Sequence, residues 1–191
     1  MENKSLRSLV REDSYAYISA NYNSLKELVQ APIRELEQIP GLGKSKSRQL
    51  QAIFQLSKEL LMPDEKEYYI KQPSDAYEYL KFMALYPEEN LMVLCLNTKN
   101  RIIHSALVSK GTLNSSLVHP REVFKQAIRI HAASIIIAHN HPSGDSINLS
   151  SEDINITNRL KECGKLLGIE LLDHIIIGDG TFTSLKEKGV V

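Results

Sequence analysis

Residues 135–154, IIIAHNHPSGDSINLSSEDI, set His139 and His141 one residue apart at the end of an apolar run, with a Pro-Ser-Gly turn and an acidic, serine-rich stretch beyond. Side chains two positions apart on a strand point to the same face. His139 and His141 therefore present two imidazoles to one point, and Pro142 and Gly144 end the strand there, at an edge open to a cleft. A catalytic zinc ion takes three protein ligands and keeps one position for water. Ser150-Ser151-Glu152-Asp153 is a helix start with Ser150 as its N-cap, which puts Asp153 in the first turn, across a short loop from the histidines. His139, His141 and Asp153 with one water make a tetrahedral site for Zn2+. Asp153 has a second use, completing an acidic capping box with Ser150. His174, in LLDHIII, alternates within a buried strand and reads as a core residue, with Asp173-His174 as a reserve pair behind the ligands. His104, His119 and His131 have no partner at ligand spacing.

Hydrolysis at such a site also needs a base. Bound zinc lowers the pKa of its water to roughly 7, and a carboxylate takes and delivers the proton. Glu89, just before the strand LMVLCLN, and Glu122, in the helix after VHP, are the candidates, and spacing alone does not choose between them. Glu152 adjoins the ligand but points to another face of the helix. Ser143 and Ser150 could each donate a hydrogen bond to a developing oxyanion, beside their roles in turn and cap.

The elements that must position these groups divide near residues 63–73. Residues 1–62 carry helical spacing, residues 63–72 form a polar linker punctuated by Pro63 and Pro73, and the texture changes from 73 to 191. There PSDAYEYLKFMALY is a helix with Ser74 or Asp75 near its N-cap, LMVLCLN and RIIHSALV are strands joined by TKN, and HPREVFKQAIRIHA is a helix opened by Pro120. SIIIAH is a buried strand, the helix from 151 stops at Gly168, IELLDHIIIG is a second buried strand, and TFTSL a short last one. The mixture makes this part α/β or α+β. In the first part IPGLGKSKSRQL resembles a helix-hairpin-helix. Gly41 and Gly43 allow a tight turn whose N–H groups can meet a DNA phosphate, a helix begins near Ser45, and Lys44, Lys46 and Arg48 add charge. Residues 1–24 are short for a domain of paired motifs.

Composition excludes several classes. Of 191 residues, 23 are Lys or Arg and 23 are Asp or Glu, so nucleic-acid affinity needs a local patch such as 39–50. No apolar run approaches the roughly 18 residues of a membrane span, and the N-terminus has no apolar core of signal-peptide length. Cys95 and Cys163 lie apart among apolar neighbours, as free thiols of a reducing compartment do, which makes a cytoplasmic setting the default.

The run HNHPSGD…SSEDI resembles the JAMM (MPN-plus) metalloprotease motif, in which a glutamate precedes H-x-H, seven residues and S-x-x-D. GTLNSSLVHPREVFKQAI, AHNHPSGD and LGIELLDHIIIGDGTFTSLKEKG resemble the RadC family of bacteria over residues 73–191. The resemblance implies a mixed sheet flanked by helices, preceded by the small helical domain, and an amide hydrolase acting on a protein or peptide. It implies His139, His141 and Asp153 as zinc ligands, Glu89 rather than Glu122 as the base, and Ser150 as the serine that stabilises the oxyanion. Two departures stand out. Eight residues, Pro142 to Leu149, separate His141 from Ser150, and Ser146-Ile147-Asn148-Leu149 stands where the family tends toward prolines. If the extra residue shifts the helix rather than the loop, Glu152 takes the ligand position. Two other classes are a DNA-associated module with a structural metal domain, and an interaction scaffold of the kind metal-free MPN domains form.

Overall fold

The computed structural model describes residues 3–61, 68–111 and 118–191. They fall into two compact units that divide after Leu61.

The first unit is helical: α1 (Lys4–Leu9), α2 (Glu12–Asn21), α3 (Leu25–Gln30), α4 (Ile33–Leu36) and α5 (Gly43–Leu61). The short helices are set by caps rather than by length. The Asn3 and Ser24 side chains accept hydrogen bonds from the Leu6 and Glu27 N–H groups. Leu6, Tyr15, Ile18, Tyr22 and Leu28 pack with Leu36, Ile39, Leu42 and Leu50. Residues 1–24, expected to be abbreviated, thus supply about half of this core. The helix expected near Ser45 starts at Gly43, and Ser47 donates from its Oγ to the Leu36 and Gly43 carbonyls, tying α5 to α4.

The second unit is a five-stranded sheet in the order β2-β1-β3-β4-β5, with β1 (Asn90–Leu96), β2 (Ile102–Lys110), β3 (Ser134–Asn140), β4 (Glu170–Ile177) and β5 (Phe182–Ser184). β3 and β4 pair in parallel and the other neighbours are antiparallel, so the sheet is mixed. β3 is buried along its whole length, as the unbroken run SIIIA requires: a strand covered on both faces needs apolar side chains on both. One face, Leu91, Val93, Cys95, Ile135 and Ile137, packs on Val123, Phe124 and Ala127 of α7 (Pro120–Arg129) and on Ile156 and Leu160 of α8 (Ser151–Leu167). The other, with Met92, Leu94, Ile136, Ala138, Ile175 and Ile177, packs on Ala76, Tyr79 and Leu80 of α6 (Pro73–Leu80) and on Phe82 and Met83 of the 3-10 turn after it.

Two boundaries differ from the sequence reading. Residues 63–67 of the expected linker lie outside the described residues, but Tyr68 to Gln72 belong to the sheet unit. The Ile70 N–H donates to the Asn100 carbonyl and the Ile102 N–H to that of Tyr68, so the hairpin turn is closed by chain assigned to a linker. The cap of α6 is Gln72, not Ser74 or Asp75: Pro73 has no N–H to lose at the first position, and Asp75 instead accepts from the Gln72 N–H.

Candidate metal centre

The alternation of β3 puts His139 on the face of Ile135 and Ile137, the side covered by α8. Ser150 caps α8: the Ser150 Oγ accepts from the Asp153 N–H at 3.1 Å and the Ser150 N–H donates to Asp153 Oδ2 at 2.9 Å. That capping box leaves Asp153 Oδ1 turned toward the strand end, 3.2 Å from His139 Nε2. His141 Nε2 lies 3.0 Å from the same nitrogen. The structure brings together His139, His141 and Asp153, whose donor atoms all lie within 4.8 Å of one another. Tetrahedral zinc with bonds near 2.0–2.1 Å would set neighbouring donor atoms about 3.3 Å apart. Glu152 is exposed and accepts from its neighbour Ser151, so of the two acids Asp153 is the one that faces the histidines.

Protonation favours a cation there. His141 Nδ1 faces the Asp145 carbonyl at 2.5 Å, and a carbonyl only accepts, so Nδ1 carries the hydrogen and a neutral His141 offers the Nε2 lone pair. Burial pushes His139 down to about 4, against the opposing pull of Asp153, so its imidazole is neutral at ordinary pH. Two imidazole nitrogens and a carboxylate oxygen then converge with acceptor atoms toward one point, an arrangement that a divalent cation satisfies in all three directions.

The longer loop is held down at both ends. Asp145 accepts from the Ile147 and Asn148 N–H groups and from the Asn148 amide, and these bonds, that from Ile147 foremost, hold its carboxyl below the usual carboxylate range. Ser146 is buried and shares a hydrogen bond with Thr181 at 2.9 Å, and the Asp179 N–H donates to the Gly144 carbonyl. Gly178 lies directly under the loop: a β-carbon there would collide with the Gly144 carbonyl and come within 2.9 Å of the Ser146 nitrogen.

Glu89 stands immediately before β1. Leu91 pairs with His139 on the neighbouring antiparallel strand, so the chain leading into β1 from Glu89 runs beside the end of β3. It is half-buried, and its carbonyl accepts from the Gly111 N–H. Glu122 is on α7, exposed and 3.1 Å from Arg121.

Asn140, between the two histidines in sequence, escaped the sequence reading. Its side chain points to the opposite side of the pleat, fully buried, where Oδ1 accepts from the Asn90 N–H at 2.9 Å and Nδ2 donates to the Glu88 carbonyl at 3.0 Å. It clamps the chain on both sides of Glu89 and so ties the candidate base to the strand of the candidate ligands. His174 is no passive core residue either: its Nε2 meets His139 Nδ1 at 2.8 Å. Asp173, its reserve partner, belongs to the other face, where its carboxylate accepts from Ser184 and from the Lys186 N–H. His119 caps α7, accepting from the Arg121 N–H.

In the first unit Lys44, Lys46 and Arg48 are exposed along the start of α5, and Gly41 and Gly43 take positive φ values of 77° and 58°. Gly41 also faces a group its sequence neighbours do not reveal. A β-carbon there would lie 2.8 Å from Ser14 Oγ and 2.9 Å from Asp13 Oδ2, so an acid sits against the hairpin.

Known proteins resemble this chain over most of its length. The family model described as a RadC-like JAB domain matches residues 70–190. A UPF0758 protein of Bacillus cereus is 47% identical over 190 residues, covering 96% of this chain and 84% of its own. That of Bacillus mycoides is 46% identical over the same length, and that of a second Bacillus cereus strain is 49% identical over 171 residues, 88% of this chain and 76% of its own. These names state no reaction. Among the described residues no helix is long and apolar enough to cross a membrane.

Proposed function

Because the chain belongs to the RadC-like JAB domain family, we propose that its second unit is a zinc-dependent hydrolase that cleaves an amide bond, peptide or isopeptide, in a protein or peptide substrate. The observation that carries this reading is the convergence of His139 Nε2, His141 Nε2 and Asp153 Oδ1 at the end of β3. A zinc ion, when bound, acidifies a water to a pKa of about 7 and polarises a carbonyl. His139, His141 and Asp153 would hold it. Glu89, one strand over and not a ligand, takes the proton of the attacking water and returns it to the leaving nitrogen, a role that needs only hydrogen-bond reach. Ser150 already accepts the Asp153 N–H with its oxygen and keeps its own hydrogen to donate to an oxygen gaining charge. The complete donor set argues against a pure scaffold, which needs no such set. The test is turnover of peptide and isopeptide substrates by zinc-loaded protein, with and without chelator. Cleavage that stops with the chelator supports the reading, and cleavage indifferent to it contradicts it.

The first unit supports a second reading, weak contact with DNA phosphates of any sequence. Exposed Lys44, Lys46 and Arg48 beside the two glycines favour it, and Asp13 against Gly41 weakens it by repelling an anion at the turn.

A further inference from the structure

Behind His139 runs a chain of hydrogen bonds with a defined direction. Thr157 Oγ1 lies 2.5 Å from the Asp153 carbonyl one turn back in α8 and 2.6 Å from His174 Nδ1, and His174 Nε2 lies 2.8 Å from His139 Nδ1. Thr157 and His174 are completely buried. A hydroxyl has one hydrogen, and a carbonyl can only accept it. Thr157 therefore donates to Asp153 and accepts from His174, which fixes the hydrogen of a neutral His174 on Nδ1 and leaves a lone pair on Nε2. That lone pair accepts from His139 Nδ1, so the lone pair of His139 falls on Nε2, the atom that faces His141 and Asp153.

We infer that Thr157 and His174 are positioning residues for the metal: their relay locks His139 into the tautomer whose Nε2 can ligate. Ligating histidines commonly hand their second N–H to a carboxylate, carbonyl or water. Here the acceptor is another imidazole, which is itself ambiguous, and Thr157 removes the ambiguity. The relay is anchored on the backbone of Asp153, so the turn that carries one ligand also orients another. The inference rests on the metal-site reading and not on hydrolysis.

The test uses the full chain, labelled with 15N in its histidine rings. In the metal-free wild type, ring spectra should show both His139 and His174 with hydrogen on Nδ1. Thr157→Val, which keeps the shape and loses the hydroxyl, should mix the tautomers and weaken Zn2+ binding in chelator competition by about 10-fold or more, and Thr157→Ser should restore both. Leu160→Ala, a core truncation on the same helix, should lower the melting temperature and leave tautomer and affinity in place. A wild-type His139 with hydrogen on Nε2 would overturn the relay. So would unchanged affinity in Thr157→Val, or an equal loss in Leu160→Ala. Ordered tautomers and tight zinc without any amide cleavage would instead sink the hydrolase and leave the relay standing.

Discussion

At the scale of the residue, Glu89 and Asp153 do separable work. Glutamine at 89 keeps the size and one hydrogen bond but cannot accept a proton. Glu89→Gln is therefore expected to retain zinc and to lose at least about 100-fold in turnover, at the low end of what a positioned base contributes. Zinc content and turnover measured beside Glu122→Gln decide it, and activity that survives in Glu89→Gln but not in Glu122→Gln would move the base to α7. Protonation gives a second expectation, for the metal-free protein. A histidine held below its ordinary value binds fewer protons folded than unfolded, so stability is present above the unfolded pKa and lost as pH falls through it. With His139 near 4 against an ordinary 6.5, and His174 lowered also, both by burial, metal-free protein should lose stability between about pH 6.5 and 4. Each such group contributes at most about 1.4 kcal/mol per pH unit. Urea melts at pH 7.5 and 5 check this, and equal midpoints would mean that the two rings titrate normally when folded.

At the scale of the element, the loop from Pro142 to Leu149 decides whether strand and helix present their ligands together. The start of α8 carries its own cap, and Asp145 folds the loop back on itself. The meeting of the candidate ligands was legible in the sequence because strand alternation and a capping signal are local. It could not show Asn140 reaching the chain around Glu89, His174 reaching His139 across 35 positions, or Asp13 lying against Gly41, since those meetings depend on pairing and packing between distant segments. Gly178 is another such meeting. Gly178→Ala should displace the loop from the turn beneath it and weaken zinc binding while α8 stays helical, and unchanged chelator competition would show the loop to be uninvolved. In the first unit, replacing Lys44, Lys46 and Arg48 with Ala should weaken duplex binding and flatten its salt dependence, by a slope change of roughly 0.9 for each phosphate no longer neutralised. An unchanged slope would mean a packed hairpin with a solvated edge.

At the scale of the molecule, the chemistry-bearing groups of the sheet unit lie at one end of β3, where β1, α8 and the loop meet, and the first unit has its own core and its own charge pattern. A ligand that binds only the folded state stabilises it by about 2.7 kcal/mol at a hundred times its Kd. Zinc should therefore raise the melting transition of the second unit and leave that of the first in place, and a calorimetric scan with and without chelator reads both. Everything proposed for the second unit requires that His139, His141 and Asp153 hold one ion. Elemental analysis of protein expressed with zinc supplement, beside Asp153→Ala, tests this most directly. One zinc per chain in the wild type and a clear loss in the variant is the predicted result, and a wild type without zinc would contradict it.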